Sequence, residues 1–176
     1  MVALAQLVAV GAARADSSVP APPGAPATDG VVRGGVRFRV TAALERGGVR
    51  LRATAESADG AEHRMPTQPL VVSGLVSCPV EGHAFGEGGG GSDGWATALA
   101  IAPGAAPTVV LNRLVKRELK PFPRGCTIDL TLGLDSVDGR RVEPSLVAVV
   151  TWRHQRPRGD ELEVRAPRGP RGDRVD

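Results

Sequence analysis

Val36-Arg37-Phe38-Arg39-Val40-Thr41-Ala42 and, just downstream, Val49-Arg50-Leu51-Arg52-Ala53-Thr54-Ala55 decide the fold class of this chain. In both runs apolar residues alternate with arginine and threonine. A period of two places one row of side chains in a core and the other in water, which is the pattern of a half-buried β-strand. Gly47-Gly48 between them is a two-residue hairpin signal, because glycine tolerates the positive φ that primed turns require. Closing the hairpin there sets Glu45 opposite Arg50, Thr41 opposite Thr54 and Arg39 opposite Glu56. Each such pair contributes a few tenths to about 1 kcal/mol. The arginine stripe reads as a solvated, partly charge-paired face rather than a polyanion site.

The same alternation recurs outward from this hairpin. Leu70, Val72, Val76 and Cys78 fall on one face of a third strand, and Trp95, Thr97, Leu99 and Ile101 alternate with alanine in a fourth. Thr108–Leu119 fits a helical stripe, with Thr108 as its cap, or a strand. Its position between strands and the breakers Pro103, Pro107, Pro121 and Pro123 favours strand. Cys126, Ile128, Leu130, Leu132 and Leu134 form the cleanest strand. Asp138-Gly139 then marks a hairpin turn into Leu146–Arg153, where Leu146, Ala148, Val150 and Trp152 share a face. About seven short strands with turn signals between them predict an all-β chain, an antiparallel β-sandwich of immunoglobulin-like type.

This domain, expected over residues 36–153, is flanked by two segments of different composition. Residues 16–35 hold Pro20, Pro22, Pro23 and Pro26 among alanine and glycine, which reads as an extended linker. Residues 154–176 mix arginine, proline, glycine and acids and read as a disordered tail. Residues 1–15 end in Ala13-Arg14-Ala15 after a short apolar run, the small-x-small pattern that a signal peptidase cuts. Only the amino terminus is positive ahead of that run. A buried element of the domain is the competing reading, but the proline-rich stretch would detach it. The run is too short to span a bilayer, and no later one approaches the roughly 20 residues a helix needs. Lysine occurs only at Lys116 and Lys120, and abundant Arg, Ala, Gly and Pro match the coding bias of a GC-rich bacterium. A secreted or periplasmic bacterial protein is expected.

Export sets the expectation for Cys78 and Cys126, the only two cysteines: one disulfide in an oxidising compartment. In a seven-strand sandwich their strands, the third and the sixth, are antiparallel neighbours. The bridge closes a loop of about 49 residues, worth roughly 4 kcal/mol in the chain-entropy model. Two cysteines so far apart in sequence do not suggest a redox motif.

Other chemistries find little purchase. With 22 basic and 19 acidic residues, 3% aromatics and no tyrosine, the chain offers neither a basic patch nor stacking platforms for nucleic acid. Glu81–Gly94 is the longest irregular stretch of the core. Glu81, His83, Glu87 and Asp93 are its weak candidate ligands, but four consecutive glycines leave them without preorganisation, so no metal or other cofactor is expected. No phosphate loop closes it. No serine sits in a nucleophile elbow. His63, His83 and His154 read as solvated rather than as general bases, and Asp135 and Asp138 as turn formers. Arg-Gly-Asp at 158–160 and 171–173 is read as compositional recurrence. The expectation is a non-enzymatic binding or structural module of a bacterial envelope whose partner is a protein or envelope component. A small ligand or metal carrier using residues 81–94 is the alternative.

Overall fold

The computed structural model describes residues 24–46, 48–77, 82–85, 99–116, 126–155 and 159–167. Among these residues the chain is all-β, with thirteen strands and no helix, hence none long and apolar enough to cross a membrane. The strands are β1 (Val31–Arg33), β2 (Val36–Glu45), β3 (Gly48–Ser57), β4 (His63–Met65), β5 (Leu70–Ser77), β6 (Gly82–Phe85) and β7 (Leu99–Ile101). They continue with β8 (Thr108–Lys116), β9 (Thr127–Leu134), β10 (Ser136–Val137), β11 (Arg140–Arg141), β12 (Leu146–Gln155) and β13 (Gly159–Arg165). Thr108–Lys116 is a strand, as its bracketing breakers favoured.

Two larger sheets hold most of these strands, in the orders β1-β2-β3-β8 and β13-β12-β9-β5-β6. Two ribbons, β4-β7 and β10-β11, complete the set, and every pairing is antiparallel. The inward rows of both larger sheets feed one buried cluster. Val36, Phe38, Val40 and Leu51 enter it from the first sheet. Leu70, Val72, Val76, Leu130, Leu132, Val150 and Trp152 enter from the second. Each fully buried side chain of this size contributes about 1.5–3 kcal/mol from loss of water contact, so the alternation seen in the sequence is the principal stabilising pattern. In β12 a bulge between Leu146 and Ala148 lets Val147 and Ala148 both be fully buried, and Leu146 stays half-exposed.

Several expectations are corrected. The β2–β3 register is Glu45↔Gly48, Thr41↔Arg52 and Arg37↔Glu56, two residues from the predicted one. Gly48 is therefore a strand residue and not part of the turn. A Cβ on Gly48 would collide with the backbone oxygen of Val115 in β8, so glycine is required there by close approach. A shift of two keeps every side chain on its expected face. Arg50 still reaches Glu45 diagonally with two contacts, at 3.1 and 2.9 Å, and Arg37 meets Glu56 at 3.2 Å.

The flanking segments are also more structured than their composition implied. Ala27 bridges Thr41, Thr28 N–H donates to the Val40 carbonyl at 2.9 Å, and Val40 N–H donates to buried Thr28 Oγ1 at 3.0 Å. Residues 26–33 thus belong to the sheet and not to a linker. In the expected tail, β13 pairs along its whole length with β12, from Val149↔Arg165 to Gln155↔Gly159, with Leu162 and Val164 packed on the core. The Glu81–Gly94 stretch is not wholly irregular, since β6 pairs with β5. Asp138-Gly139 is a hairpin turn, but of the small β10–β11 ribbon inserted ahead of β12.

Candidate functional site

Three tight turns converge on His63. The first, Gly34-Gly35, joins β1 to β2 with φ of 54° and 78°; the second, Asp138-Gly139, joins β10 to β11 with φ of 51° and 72°. Positive φ at both central residues is the primed-turn geometry that matches strand twist. The third follows β3: Ala61 N–H donates to Asp59 Oδ1 at 2.9 Å, and Gly60 N–H to Ser57 Oγ at 3.2 Å. Ala58 N–H donates to the Gly35 carbonyl at 2.8 Å, tying the first turn to the third.

His63 opens β4 and its side chain is only 7% exposed. Its Nε2 lies 2.9 Å from Asp59 Oδ1, and its Nδ1 lies 2.9 Å from Asp138 Oδ2. The second oxygen of Asp138 accepts from Arg64 N–H at 2.7 Å, and Asp138 N–H donates back to the Arg64 carbonyl at 2.8 Å. With a carboxylate at each ring nitrogen, the imidazolium form donates from both. The hydrogen bond with Asp138, with Asp59 adding to it, raises the His63 pKa above its ordinary value against the opposing effect of burial. Asp138 is held below the carboxylate range, first by His63 and then by the Arg64 amide; Asp59 is lowered first by the Ala61 amide and then by His63.

The expectation of a solvated His63 is therefore corrected, and Asp138 is more than a turn former. A general-base histidine needs one nitrogen facing a nucleophile, and here both are engaged by carboxylates. The arrangement is that of a staple between turns. Gly35 is part of it: a Cβ there would collide with Asp59 Oδ2 and the His63 ring. Beside the staple lies an open cleft of about 580 Å³, walled by Gly34, Val137 and Val142 and rimmed by Arg140, Arg141 and Glu143. Arg141 Nε pairs with Glu143 at 3.2 Å.

The residues singled out from the sequence fall elsewhere. Glu81, Glu87, Asp93 and Cys78 lie outside the described residues, and His83 sits in β6 opposite Val76. Cys126 is buried immediately before β9. His154 lies in β12 opposite Asp160 rather than at the edge of a tail, and Gly159-Asp160 of the first Arg-Gly-Asp opens β13. The second Arg-Gly-Asp is outside the described residues. Among the described residues no group of three or more His, Cys, Asp and Glu is placed to hold a metal ion. Comparison with family models, curated proteins and solved structures finds no match for this chain.

Proposed function

We propose that the chain is a secreted or periplasmic, non-catalytic β-sandwich of immunoglobulin-like type with a binding or structural role in a bacterial envelope. The observation that carries this reading is the register of β5 on β9, in which Ser77 stands opposite Thr127. Cys126 is buried one residue outside that pair, and a Cys78–Cys126 bridge would extend the pairing by one step. Cross-strand partners have α-carbons about 4.5–5.5 Å apart, within the span a disulfide accepts. A Cys78–Cys126 bridge belongs to an oxidising compartment and agrees with the leader ending at Ala15. The single cluster fed by two antiparallel sheets supports the sandwich, and the doubly engaged His63 supports a scaffold over a catalyst.

The test is expression in a bacterium with the leader intact, followed by fractionation and intact mass. The expected product begins at Asp16, is recovered from the periplasm or medium, and is lighter than the reduced chain by two hydrogens. A cytoplasmic product retaining Met1, with both thiols open to alkylation, overturns the reading. Calorimetric titration of the same material with divalent metal ions should give no binding heat; saturable heat would favour the carrier role of residues 81–94.

A further inference from the structure

We propose that Asp59, His63 and Asp138 form a protonation latch that holds the turn of the β10–β11 ribbon, and the cleft it rims, in place while the imidazole carries two protons and releases it when one leaves. This inference stands on the geometry of the turns and not on the functional reading above.

The ring is enclosed and flanked. Its two carboxylate partners come from turns 4 and 75 residues away in sequence, each at 2.9 Å. Both are fixed by backbone amides, Asp59 by Ala61 and Asp138 by Arg64. A neutral imidazole has one N–H and one lone pair, so loss of a proton must set that lone pair against a carboxylate. Exchanging tautomers only moves the conflict to the other side, and the Gly35 backbone closes on the ring edge where it would otherwise turn away.

The other charged groups nearby do not relieve this. Arg140 acts on Asp138 and not on the ring, and the Arg64 guanidinium is turned to Glu62 at 3.6 Å. The Gly34-Gly35 turn and β7 contribute no titratable side chain. The backbone of the ribbon is lightly held, by two cross-strand pairs, the bond from Asp138 N–H to Arg64 and one long contact of 3.4 Å from Val142 N–H to the Asp135 carbonyl. Val137 and Val142 anchor its apolar side in the core, so the latch governs the Asp138–Arg141 turn and not the buried valines. The ribbon's residues Val137, Arg140, Arg141 and Val142 wall or rim the cleft, so release of the turn reshapes the cleft.

The direction follows from linkage. His63 gains affinity for its proton on folding, so the latch contributes fully below the ordinary histidine pKa and is lost as pH rises through the raised one. Asp59 and Asp138 titrate below their ordinary values, so on the acid side the latch survives until pH falls through those lowered values. It is closed at mildly acidic pH and opens toward alkaline pH.

Hydrogen exchange by mass spectrometry, corrected for the intrinsic pH dependence of exchange, tests this on the full chain from about pH 6 to about pH 9, with the His63 ring titrated in parallel by NMR. Protection of residues 138–141 should fall about tenfold for each unit by which the folded pKa is raised. Residues 128–132 should keep theirs. In the His63→Gln variant 138–141 should be weakly protected at every pH, with no step. A wild-type ribbon whose protection does not change with pH overturns the latch, as does an equal step in His63→Gln. Should that variant fail to fold, the wild type alone decides: protection must fall between the ordinary histidine pKa and the His63 midpoint read by NMR and be flat above that midpoint, and a fall lying clear of this window refutes the proposal.

Discussion

Replacing Gly35 by alanine measures what the convergence of turns on His63 is worth, and Gly60 supplies the control. Both glycines have φ near +80°, so both substitutions force alanine into a left-handed conformation. That costs about 1–2 kcal/mol, offset by about 0.4–1 kcal/mol because alanine has less freedom to lose on folding. At Gly60 nothing lies within 4 Å of the new methyl group, so Gly60→Ala should cost about 0.5–1 kcal/mol in all. At Gly35 the methyl group meets Asp59 Oδ2 and the edge of the imidazole at clashing distance. The ring is enclosed and the carboxylate is half exposed, so the carboxylate yields and one imidazole N–H is left without its acceptor. A buried donor stranded in this way costs about 1–3 kcal/mol. Gly35→Ala should therefore destabilise by about 1.5–4 kcal/mol, measured by urea unfolding at mildly acidic pH with the latch closed. In an Asp59→Ala background the gap between the two glycine variants should shrink, since the colliding carboxylate is gone. Equal losses at Gly35 and Gly60, within about 0.5 kcal/mol, would refute the reasoning.

Ending the chain at residue 158 removes β13 and uncovers the ground beneath Leu162 and Val164; the melting temperature should drop by about 5 °C or more, whereas ending at 167 should leave it nearly unchanged. Thr28→Val keeps the shape but strands the Val40 amide, and denaturant unfolding should report a loss of about 1–2 kcal/mol. Leu132→Ala, at a fully buried site, should cost about 2–5 kcal/mol by the same assay. Replacing Cys78 and Cys126 together by alanine should lower stability by about 2–4 kcal/mol without altering the far-ultraviolet dichroism of a β-protein.

The faces of the strands were legible because burial repeats every second residue, and a two-residue slip in the hairpin left that parity intact. The slip itself came from Gly48, whose role is set by Val115 of β8, far along the chain. The Gly34-Gly35 turn carries the same local signal as a hairpin loop, yet the proline-rich composition before it masked β1. β13 was hidden in the same way: Leu162 and Val164 alternate with Glu161, Glu163 and Arg165, but the strand is short and set in a highly charged stretch. His63 could not be assigned from sequence because its second carboxylate is 75 residues away and meets it only through a ribbon. Periodicity reports which side of a strand is wet; it carries no information on which turns meet at the end of a fold.

The place of β13 at the outer end of its sheet bears on how the chain avoids associating with copies of itself. The strand it covers, β12, reads Leu146-Val147-Ala148-Val149-Val150-Thr151-Trp152, an uncharged run rich in β-branched residues, which is the composition of an aggregation-prone segment. From Val149 onward it is flanked by β9 and β13, which take up its backbone groups within the molecule. β13 presents Asp160, Glu161, Glu163 and Arg165 at the exposed border instead, and charge on an edge strand discourages pairing with another chain. Loss of residues 159–165 would turn the uncharged run of β12 into a border open to a second molecule.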